Sequence, residues 1–319
     1  MNNYDVFNGD ADGLCAMQQL RLAEPRESKL ITGVKRDTLL LKQVSAQTGD
    51  ILTVLDISFD KNREAVKSLL ASGAKICYFD HHYAGEVPEH AGLDAHIDTA
   101  SDICTSLIVD DYLDGEHRAW AVTGAFGDNM EASARKRAER MGFSEDELAQ
   151  LQSLGTYLNY NGYGADLSDL FFHPAELFKQ IHPYKDPLDF IAESESFKIL
   201  ESGYQDDMAK AQQCQPENTD ESTAVFILPN EKWARRVSGV FGNYLATSSP
   251  QRAHAVLTEQ EDGQCYTVSV RAPLDELRDA DTLCRQFATG GGRKGAAGIN
   301  RLAADEYSVF ANAFRKMYS

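Results

Sequence analysis

The first hundred residues alternate between short apolar runs and amphipathic segments. Four of the runs have the length and the β-branched and aromatic content of buried strands. They lie at residues 4–7, 29–34, 51–55 and 74–79. Helical spacing follows the first run over residues 14–20 and the third run as far as Leu70, and Gly73 ends that second helix. Strands that alternate with helices in this way predict a parallel, doubly wound sheet of the α/β class.

The pattern is less regular over the next hundred residues. Residues 96–113 predict a strand, a turn and a capped helix, whereas the apolar segment 119–126 has no period that separates helix from strand. Residues 130–213 are rich in helix-forming residues that prolines interrupt, and we interpret them as packed helices without assigning chemistry to them. The polar, proline-containing stretch 214–222 then predicts a domain boundary.

The last part of the chain has a pattern of its own. Its predicted elements are strands at residues 223–228, 253–257 and 265–271, a turn at 261–263, and helices near 231–245, 280–288 and 303–317. This order predicts a second, smaller α/β domain. We therefore divide the chain into a first domain with a helical extension (1–190), a linker helix with the boundary (191–220) and a second domain (221–319).

Composition narrows the classes of function. The chain has 319 residues, a formal net charge of −18 at pH 7 and 43% hydrophobic residues, enough for packed cores. Tight binding of long duplexes is disfavoured because it needs a basic face, whereas a short anionic ligand needs only a few focused cations. No apolar run approaches the ~18 residues of a membrane span, no secretory signal opens the sequence, and the six cysteines are scattered. We expect a cytoplasmic protein with reduced cysteines and no membrane partner.

Acidic residues and histidines stand where three of the predicted strands end. They are Asp10 and Asp12 after the first strand, Asp56 after the third, and Asp80, His81 and His82 after the fourth. Because the carboxyl ends of parallel strands meet at one edge of a sheet, we expect these groups to lie together. A solvated turn, or Asp12 as a helix cap, would explain one of them alone. Three such coincidences indicate a site for metal ions or proton transfer.

Further candidates lie on either side of the undetermined apolar segment. Asp128 ends that segment and is either a fourth acidic group or the cap of a helix that starts near Met130. Ser101, Thr105 and Ser106 stand at the start of a predicted helix. They would cap this helix or contact a phosphate at its N-terminus, and capping is the more common role.

A glycine-rich stretch, residues 290–298, is the main candidate in the second domain. Its spacing fits G-x-G-x-x-G, but it follows a predicted helix, and it lacks the Lys-Ser/Thr pair of a Walker loop. Its backbone N–H groups could approach an anion, and a flexible surface loop is the alternative. The residues that we assign to substrate binding are Gly290, Gly291, Gly292, Arg293 and Lys294. Arg271, at the end of a predicted strand, is either a second phosphate contact or an ordinary surface residue.

Taken in order, these motifs resemble those of the DHH/DHHA1 phosphoesterase superfamily over nearly the whole chain. The matching residues are Asn8 to Gly13 (NGDADG), Asp56, Asp80-His81-His82, Gly127-Asp128, Ser269 to Arg271 and Gly290 to Gly298. The resemblance implies a parallel, doubly wound DHH domain and a smaller α/β DHHA1 domain, with the active site in the cleft between them. It is also compatible with a homodimer.

The resemblance further implies two Mn²⁺ ions, with Mg²⁺ or Co²⁺ as alternatives, because carboxylates with one imidazole suit such ions. The ligands would be Asp10 and Asp56 for one ion, and Asp12, Asp56, His81 and Asp128 for the other. Asp80 would orient His81 through its free ring nitrogen, and His82 would lie near the scissile phosphate. We thus assign His82, Asp80 and Asp56 to catalysis.

Two positions depart from the family pattern. Asn8 stands where many members have His or Asp, and a neutral amide is a weaker ligand, so the first ion would bind less tightly or keep more water. Arg293 stands where many members have His, which leaves any role of that His in doubt but keeps a positive charge for a phosphate.

The activity that the resemblance implies is phosphodiester hydrolysis by two metal ions roughly 3.5–4 Å apart, which activate a water between them. A second domain at a fixed reach, together with the acidic charge, favours short linear oligoribonucleotides. We expect dinucleotides such as pGpG or pApA, cut to 5′-mononucleotides. The alternatives are a 3′,5′-bisphosphate nucleotide (pAp) phosphatase, an inorganic pyrophosphatase and a single-strand exonuclease. A non-enzymatic nucleotide sensor is disfavoured by the intact acidic motifs.

Overall fold

A computed structural model describes residues 1–260 and 263–319 of the chain, and these form two compact units, Met1–Ser202 and Gly203–Ser319. The boundary between the units falls within a long helix, Glu195–Gln213. Of the predicted turn at residues 261–263, the first two residues lie outside the described part. Among the described residues, no helix is long and apolar enough to cross a membrane.

The first unit, every residue of which is described, contains a parallel sheet of five strands. The strands are β1 (Asn3–Phe7), β2 (Lys29–Ile31), β3 (Ile51–Leu55), β4 (Lys75–Asp80) and β5 (Leu93–Ile97). Their order across the sheet is β2-β1-β3-β4-β5, and each neighbouring pair is parallel. The apolar runs therefore became the strands that their composition favours, and the predicted parallel, doubly wound α/β fold is confirmed.

Helices surround and extend this sheet. They are α1 (Ala11–Ala23), α2 (Phe59–Ala71), α3 (Thr105–Tyr112), α4 (Arg118–Gly127), α5 (Glu131–Ala138), α6 (Glu145–Gly162), α7 (Pro174–Ile181), α8 (Pro187–Glu193) and α9 (Glu195–Gln213). The undetermined segment 119–126 is thus helical. Asp128 follows α4 as its C-cap, and Met130 holds the N-cap position of α5, so the interpretation of Asp128 as an N-cap is wrong.

A buried ion pair joins α1 to the sheet. Arg21 donates from Nε and Nη2 to the two carboxylate oxygens of Asp5, at 2.8 and 2.7 Å, and from Nη2 to Thr53 Oγ1 at 2.9 Å. Asp5 lies on β1 and Thr53 on β3. The pair is nearly inaccessible to water, so this bidentate contact fixes the helix that carries the first acidic motif against the strands that carry the others.

The second unit contains a mixed sheet. Its described strands are β6 (Asn218–Thr219), β7 (Thr223–Leu228), β8 (Ala253–Glu259), β9 (Cys265–Arg271), β10 (Gly290–Gly292) and β11 (Ala296–Ala303), in the order β10-β11-β9-β8-β7-β6. Only the β7–β8 pair is parallel among the described strand pairs. The helices are α10 (Lys232–Ser248), α11 (Ala280–Cys284) and α12 (Tyr307–Tyr318).

The structure of the glycine-rich stretch, residues 290–298, differs from the loop that we considered. Instead of a loop, Gly290–Gly292 forms β10 and pairs antiparallel with β11, which the sequence analysis did not predict. Close backbone packing explains the glycines: a Cβ at Gly290 would lie 1.7 Å from the carbonyl oxygen of Cys284, and one at Gly298 would lie 2.7 Å from that of Val268. The glycines therefore serve strand and helix contacts.

Candidate metal centre and active site

The acidic residues of the first unit stand at the carboxyl ends of β1, β3 and β4, as predicted. Asp10 caps α1, because its Oδ1 accepts a hydrogen bond of 3.0 Å from the backbone N–H of Gly13. Asp12 lies inside the first turn of that helix, so Asp10 is the cap and the alternative with Asp12 as cap is wrong. The first carboxylate thus belongs to the N-cap residue of α1 and the second to a residue in its first turn.

Asp12 is held by the N-terminus of α3. Its Oδ2 accepts from the backbone N–H of Thr105 at 2.8 Å and its Oδ1 from that of Ser106 at 2.7 Å. The helix terminus that we considered for a phosphate thus binds a carboxylate of the protein itself. Thr105 Oγ1 also reaches Asp56 Oδ1 at 3.3 Å, whereas Ser101 is exposed in the preceding turn.

Asp56 follows β3 in a left-handed backbone conformation, with φ of +57°. Its backbone N–H donates to the carbonyl of Phe79 on the neighbouring strand at 3.0 Å. A non-glycine residue seldom adopts this conformation, although Asp and Asn tolerate it better than most. The strand connection therefore turns the Asp56 carboxyl toward His81 and Thr105.

His81 is the centre of the cluster. Its Nδ1 lies 3.1 Å from the carbonyl oxygen of Ile103, and because a carbonyl only accepts, Nδ1 donates this bond and Nε2 is the nitrogen that faces the cluster. Nε2 lies 3.5 Å from Asp56 Oδ1 and 3.9 Å from both Asp12 Oδ2 and Asp128 Oδ2. Three carboxylates around one nitrogen need a positive charge among them, which a proton on Nε2 or a bound metal ion would supply.

The three distances from His81 Nε2 are compatible with one divalent ion. An octahedral ion with bonds of about 2.1 Å separates its ligand atoms by roughly 3–4.2 Å, and the separations of 3.5–3.9 Å from His81 Nε2 fall in that range. Oxygen ligands with one imidazole suit a hard or intermediate ion such as Mn²⁺. Asp12, Asp56, His81 and Asp128 are therefore the residues that could hold it.

Asp80 orients His82 and not His81, which corrects the role that the resemblance implied. Asp80 Oδ1 accepts from the backbone N–H of His82 at 3.1 Å and lies 2.7 Å from its Nδ1. Its Oδ2 accepts from the backbone N–H of Phe59, at the start of α2. Nδ1 of His82 is thus the protonated nitrogen, and 42% of the side chain is exposed. Asp56, His81 and His82 each offer a ligand atom within 4.8 Å of the other two.

Two residues that the sequence analysis missed complete the cluster. Lys35 places its Nζ 2.7 Å from Asp10 Oδ2 and 3.5 Å from Asp128 Oδ1, and it donates to Asn159 Oδ1 at 2.9 Å. Lys35 lies in an irregular connection after β2, and Asn159 in the last turn of α6. No periodic signal marks such positions. The buried Asn8 is adjacent, and its Nδ2 donates to the Lys35 carbonyl at 3.4 Å.

The charges of the cluster act on one another. Burial, followed by the charges of Asp10 and Asp12, raises the pKa of Asp56 well above its usual value. Burial also raises the pKa of Asp12 more than the charge of His81 lowers it. Burial would raise the pKa of Asp10 too, but Lys35 outweighs this effect and lowers it. Without a metal ion, the carboxyl groups of Asp12 and Asp56 are therefore costly to ionise.

His82 and Lys35 show the opposite balance. Burial lowers the pKa of His82, but the hydrogen bond with Asp80 and the charge of Asp56 outweigh it, so the pKa is raised. Burial would also lower the pKa of Lys35, but Asp10, Tyr163 and Asp128 together outweigh it, and the pKa lies well above the usual lysine value. Neighbouring carboxylates thus favour the cationic form of both side chains.

The candidate residues of the second unit lie apart from the acidic motifs in sequence and form their own arrangement. The Arg271 guanidinium donates to Asn243 Oδ1 at 2.6 Å, to Ser269 Oγ at 2.9 Å and to the Gly239 carbonyl at 3.2 Å. It is therefore held against α10. Arg293 and Lys294 are exposed at the turn between β10 and β11, whose ends are joined by the Arg293 N–H to Ala296 carbonyl hydrogen bond of 2.8 Å.

A cavity of about 670 Å³ lies beside the connection that carries Lys35. Its lining includes Thr32, Arg36, Asp37, Asp166 and Ser168. The hydroxyl of Thr32 is buried and has no hydrogen-bond partner among the described residues. The volume is in the range of small-molecule sites.

The comparisons with known proteins agree on the fold. No family model and no curated protein matches the sequence. Among solved structures, the chain is similar to exonuclease RecJ bound to manganese (15% identity, TM-score 0.62, covering 99% of this chain and 89% of that one). It is also similar to a DHH domain described as a member of the s1p family of ribosomal proteins (13%, 0.70, 99% and 86%).

A third similar structure is a pGpG-specific phosphodiesterase from Vibrio cholerae, with 15% identity and a TM-score of 0.59. The alignment covers 99% of this chain and 98% of that chain. Sequence identities at this level describe the fold, and each match extends over nearly all of this chain. The protein therefore shares the fold of these structures, which include a DHH domain, and this agrees with the fold that the motifs of its sequence imply.

Proposed function

We propose that this protein is a metal-dependent phosphodiesterase that hydrolyses short linear nucleotides. The dinucleotides pGpG and pApA, cut to 5′-mononucleotides, are the substrates that we favour. The observation that carries the proposal is the convergence of three carboxylates on His81 Nε2 at 3.5–3.9 Å. Such an arrangement at the carboxyl edge of a parallel sheet supports a metal-assisted hydrolase.

A divalent ion bound there, for which we propose Mn²⁺, would polarise a phosphoryl oxygen and activate water for attack. The protein supplies the ligands Asp12, Asp56, His81 and Asp128. It also fixes two of them before an ion binds, because α3 holds Asp12 through two backbone N–H groups and the Ile103 carbonyl holds His81. Ligands fixed in this way need little rearrangement when the ion binds.

His82 is the proton donor in this proposal. Asp80 holds its Nδ1 at 2.7 Å, which leaves Nε2 of a partly exposed ring for the substrate. A protonated imidazole beside the scissile bond can give its proton to the departing oxygen. The raised pKa of His82 supports this role, because it keeps the ring protonated to higher pH.

Three observations support a short substrate. The net charge of −18 disfavours binding to long nucleic acids. A cavity of about 670 Å³ beside the Lys35 connection, whose lining includes none of the proposed metal ligands, is large enough for a nucleoside. The chain also has nearly the same extent as the pGpG-specific phosphodiesterase that it resembles in fold. Arg271, Arg293 and Lys294 remain our candidates for contacts to a second phosphate of the substrate.

The test is a product analysis on a panel of substrates. The protein, with Mn²⁺ or with a chelator, is given equal amounts of pGpG, pApA, a longer RNA, pAp and pyrophosphate, and the products are separated by anion exchange. We expect Mn²⁺-dependent mononucleotide release from a dinucleotide, much faster than from the longer RNA. Faster cleavage of pAp or pyrophosphate, with inert dinucleotides, would contradict the proposal in favour of a phosphatase or pyrophosphatase.

A further inference from the structure

The ammonium group of Lys35 lies among oxygen atoms that could otherwise bind a metal ion. Nζ lies 2.7 Å from Asp10 Oδ2, 3.5 Å from Asp128 Oδ1 and 2.9 Å from Asn159 Oδ1. These three oxygen atoms surround the ammonium group and form a small cation site that the lysine itself fills. The other oxygen of Asp128 faces His81, so Asp128 joins the lysine to the proposed metal position.

The backbone holds Lys35 in this position. Its N–H donates to the carbonyl of Gly162, the last residue of α6, at 2.8 Å, and its own carbonyl accepts from Asn8 Nδ2. The ring of Tyr163 lies 5.6 Å from Nζ, within range of a cation–π contact. Contacts from two separate elements therefore direct the side chain at Asp10, and only 23% of it is exposed.

The possible ligand atoms next to Lys35, which belong to Asp10 and Asn8, favour a lysine over a second divalent ion. Asp10 already pairs with Lys35 through its Oδ2. Asn8 offers a buried Oδ1 that has no hydrogen-bond partner among the described residues, but it is a neutral amide. An ion here would have to displace an ammonium that two carboxylates already stabilise.

We infer that Lys35 takes the place of one divalent ion, so that the chain binds a single ion at Asp12, Asp56, His81 and Asp128 and pairs Asp10 with Lys35. This inference rests on the proposed function, because it assigns the cations of the same site. Lysine is a compact point charge that is present whether or not metal is bound. With 23% of the side chain exposed, its charge can also act on a phosphate next to Asp10.

The test counts ions. The protein is dialysed to equilibrium against Mn²⁺, and manganese per chain is measured by elemental mass spectrometry and by native mass spectrometry. We expect one ion per chain for the wild type and two for Lys35→Ala, in which Asp10 and Asn8 become available. Lys42→Ala removes an exposed lysine and is expected to retain one ion.

Either of two results would overturn the inference: two tightly bound ions in the wild type, or a folded Lys35→Ala protein that still binds one. If Lys35→Ala does not fold, Lys35→Gln, which keeps a hydrogen-bond donor for Asn159 but loses the charge, is measured in its place. One ion per chain with no nucleotide hydrolysis would leave the Lys35 assignment intact and remove the proposed function. Two ions with rapid dinucleotide hydrolysis would do the reverse.

Discussion

Among single residues, the difference between His81 and His82 has the largest chemical consequence. They are adjacent in sequence, yet a backbone carbonyl orients one and Asp80 orients the other. His81 directs its Nε2 at three carboxylates, whereas His82 keeps a proton on the nitrogen next to Asp80. The pair thus combines the proposed metal ligand with a group suited to proton transfer.

This difference predicts separate effects of the two histidines. We expect His82→Gln to lower kcat for dinucleotide hydrolysis by about 10²–10⁴-fold, the range for loss of a general acid, and to leave Mn²⁺ affinity unchanged. The exposed His90 provides a matched control, since His90→Gln should change neither quantity. A loss of Mn²⁺ affinity in His82→Gln would instead make His82 a ligand.

Between elements, the contact of α1 with the sheet positions the first acidic motif. The Arg21–Asp5 pair is buried and bidentate, and Thr53 of β3 accepts a further hydrogen bond from it. Removal of one partner leaves the other charge buried without compensation. We therefore expect loss of this contact to lower the free energy of unfolding and not to change the chemistry of the site.

We predict that Asp5→Ala lowers the free energy of unfolding by about 3–5 kcal/mol, the usual effect of breaking a buried ion pair. Denaturant unfolding followed by circular dichroism measures it. Glu64→Ala removes the partner of an exposed Lys67 ion pair and should change stability by no more than about 0.5 kcal/mol. Equal effects of the two substitutions would show that burial does not decide how much an ion pair contributes to the free energy of unfolding.

The elements also show how far sequence reasoning extends. The apolar runs predicted β1, β3 and β4 closely, because a buried parallel strand needs continuous apolar residues. The same logic brought Asp10, Asp56 and Asp80 to one edge of the sheet. The β10–β11 hairpin was missed because its glycines carry no side-chain pattern, and close packing against Cys284 and Val268 is a tertiary property.

The sequence predicted those site residues that follow a strand or lie in a recognisable motif. Asp12, His81 and Asp128 are of this kind, and the structure brings them together. Lys35 and Asn159 come from an irregular connection and from a distant helix, so their approach to Asp10 depends on the packing of α6. Which histidine Asp80 orients is likewise a matter of side-chain geometry.

For the whole molecule, charge links metal binding to stability. The formal charge is −18, and the raised pKa values of Asp12 and Asp56 mean that the folded protein binds more protons than the unfolded chain above the ordinary carboxyl pKa of about 4. Their contribution to stability therefore decreases as pH rises through that window. The lowered pKa of Asp10 acts in the opposite sense, and its contribution is lost only at low pH.

From this balance we predict that Mn²⁺ raises the melting temperature strongly at pH 7.5 and progressively less toward pH 5, because protons compete for the same carboxylates. At 100 times its Kd, the ion should add about 2.7 kcal/mol of stability. Thermal unfolding at several pH values, with Mn²⁺ or with a chelator, measures this effect. A metal effect that grows as pH falls would contradict the assignment of these carboxylates as ligands.

The central claim is that the carboxylate cluster around His81 binds the ion that hydrolyses a phosphodiester. Its most direct test compares the wild type with Asp56→Asn, which preserves side-chain shape and tolerates the left-handed backbone at this position. Mn²⁺ binding by calorimetry and pGpG hydrolysis are measured on the same folded samples. We predict that the variant remains folded and loses both Mn²⁺ binding and turnover, whereas near-normal turnover in Asp56→Asn would contradict the account.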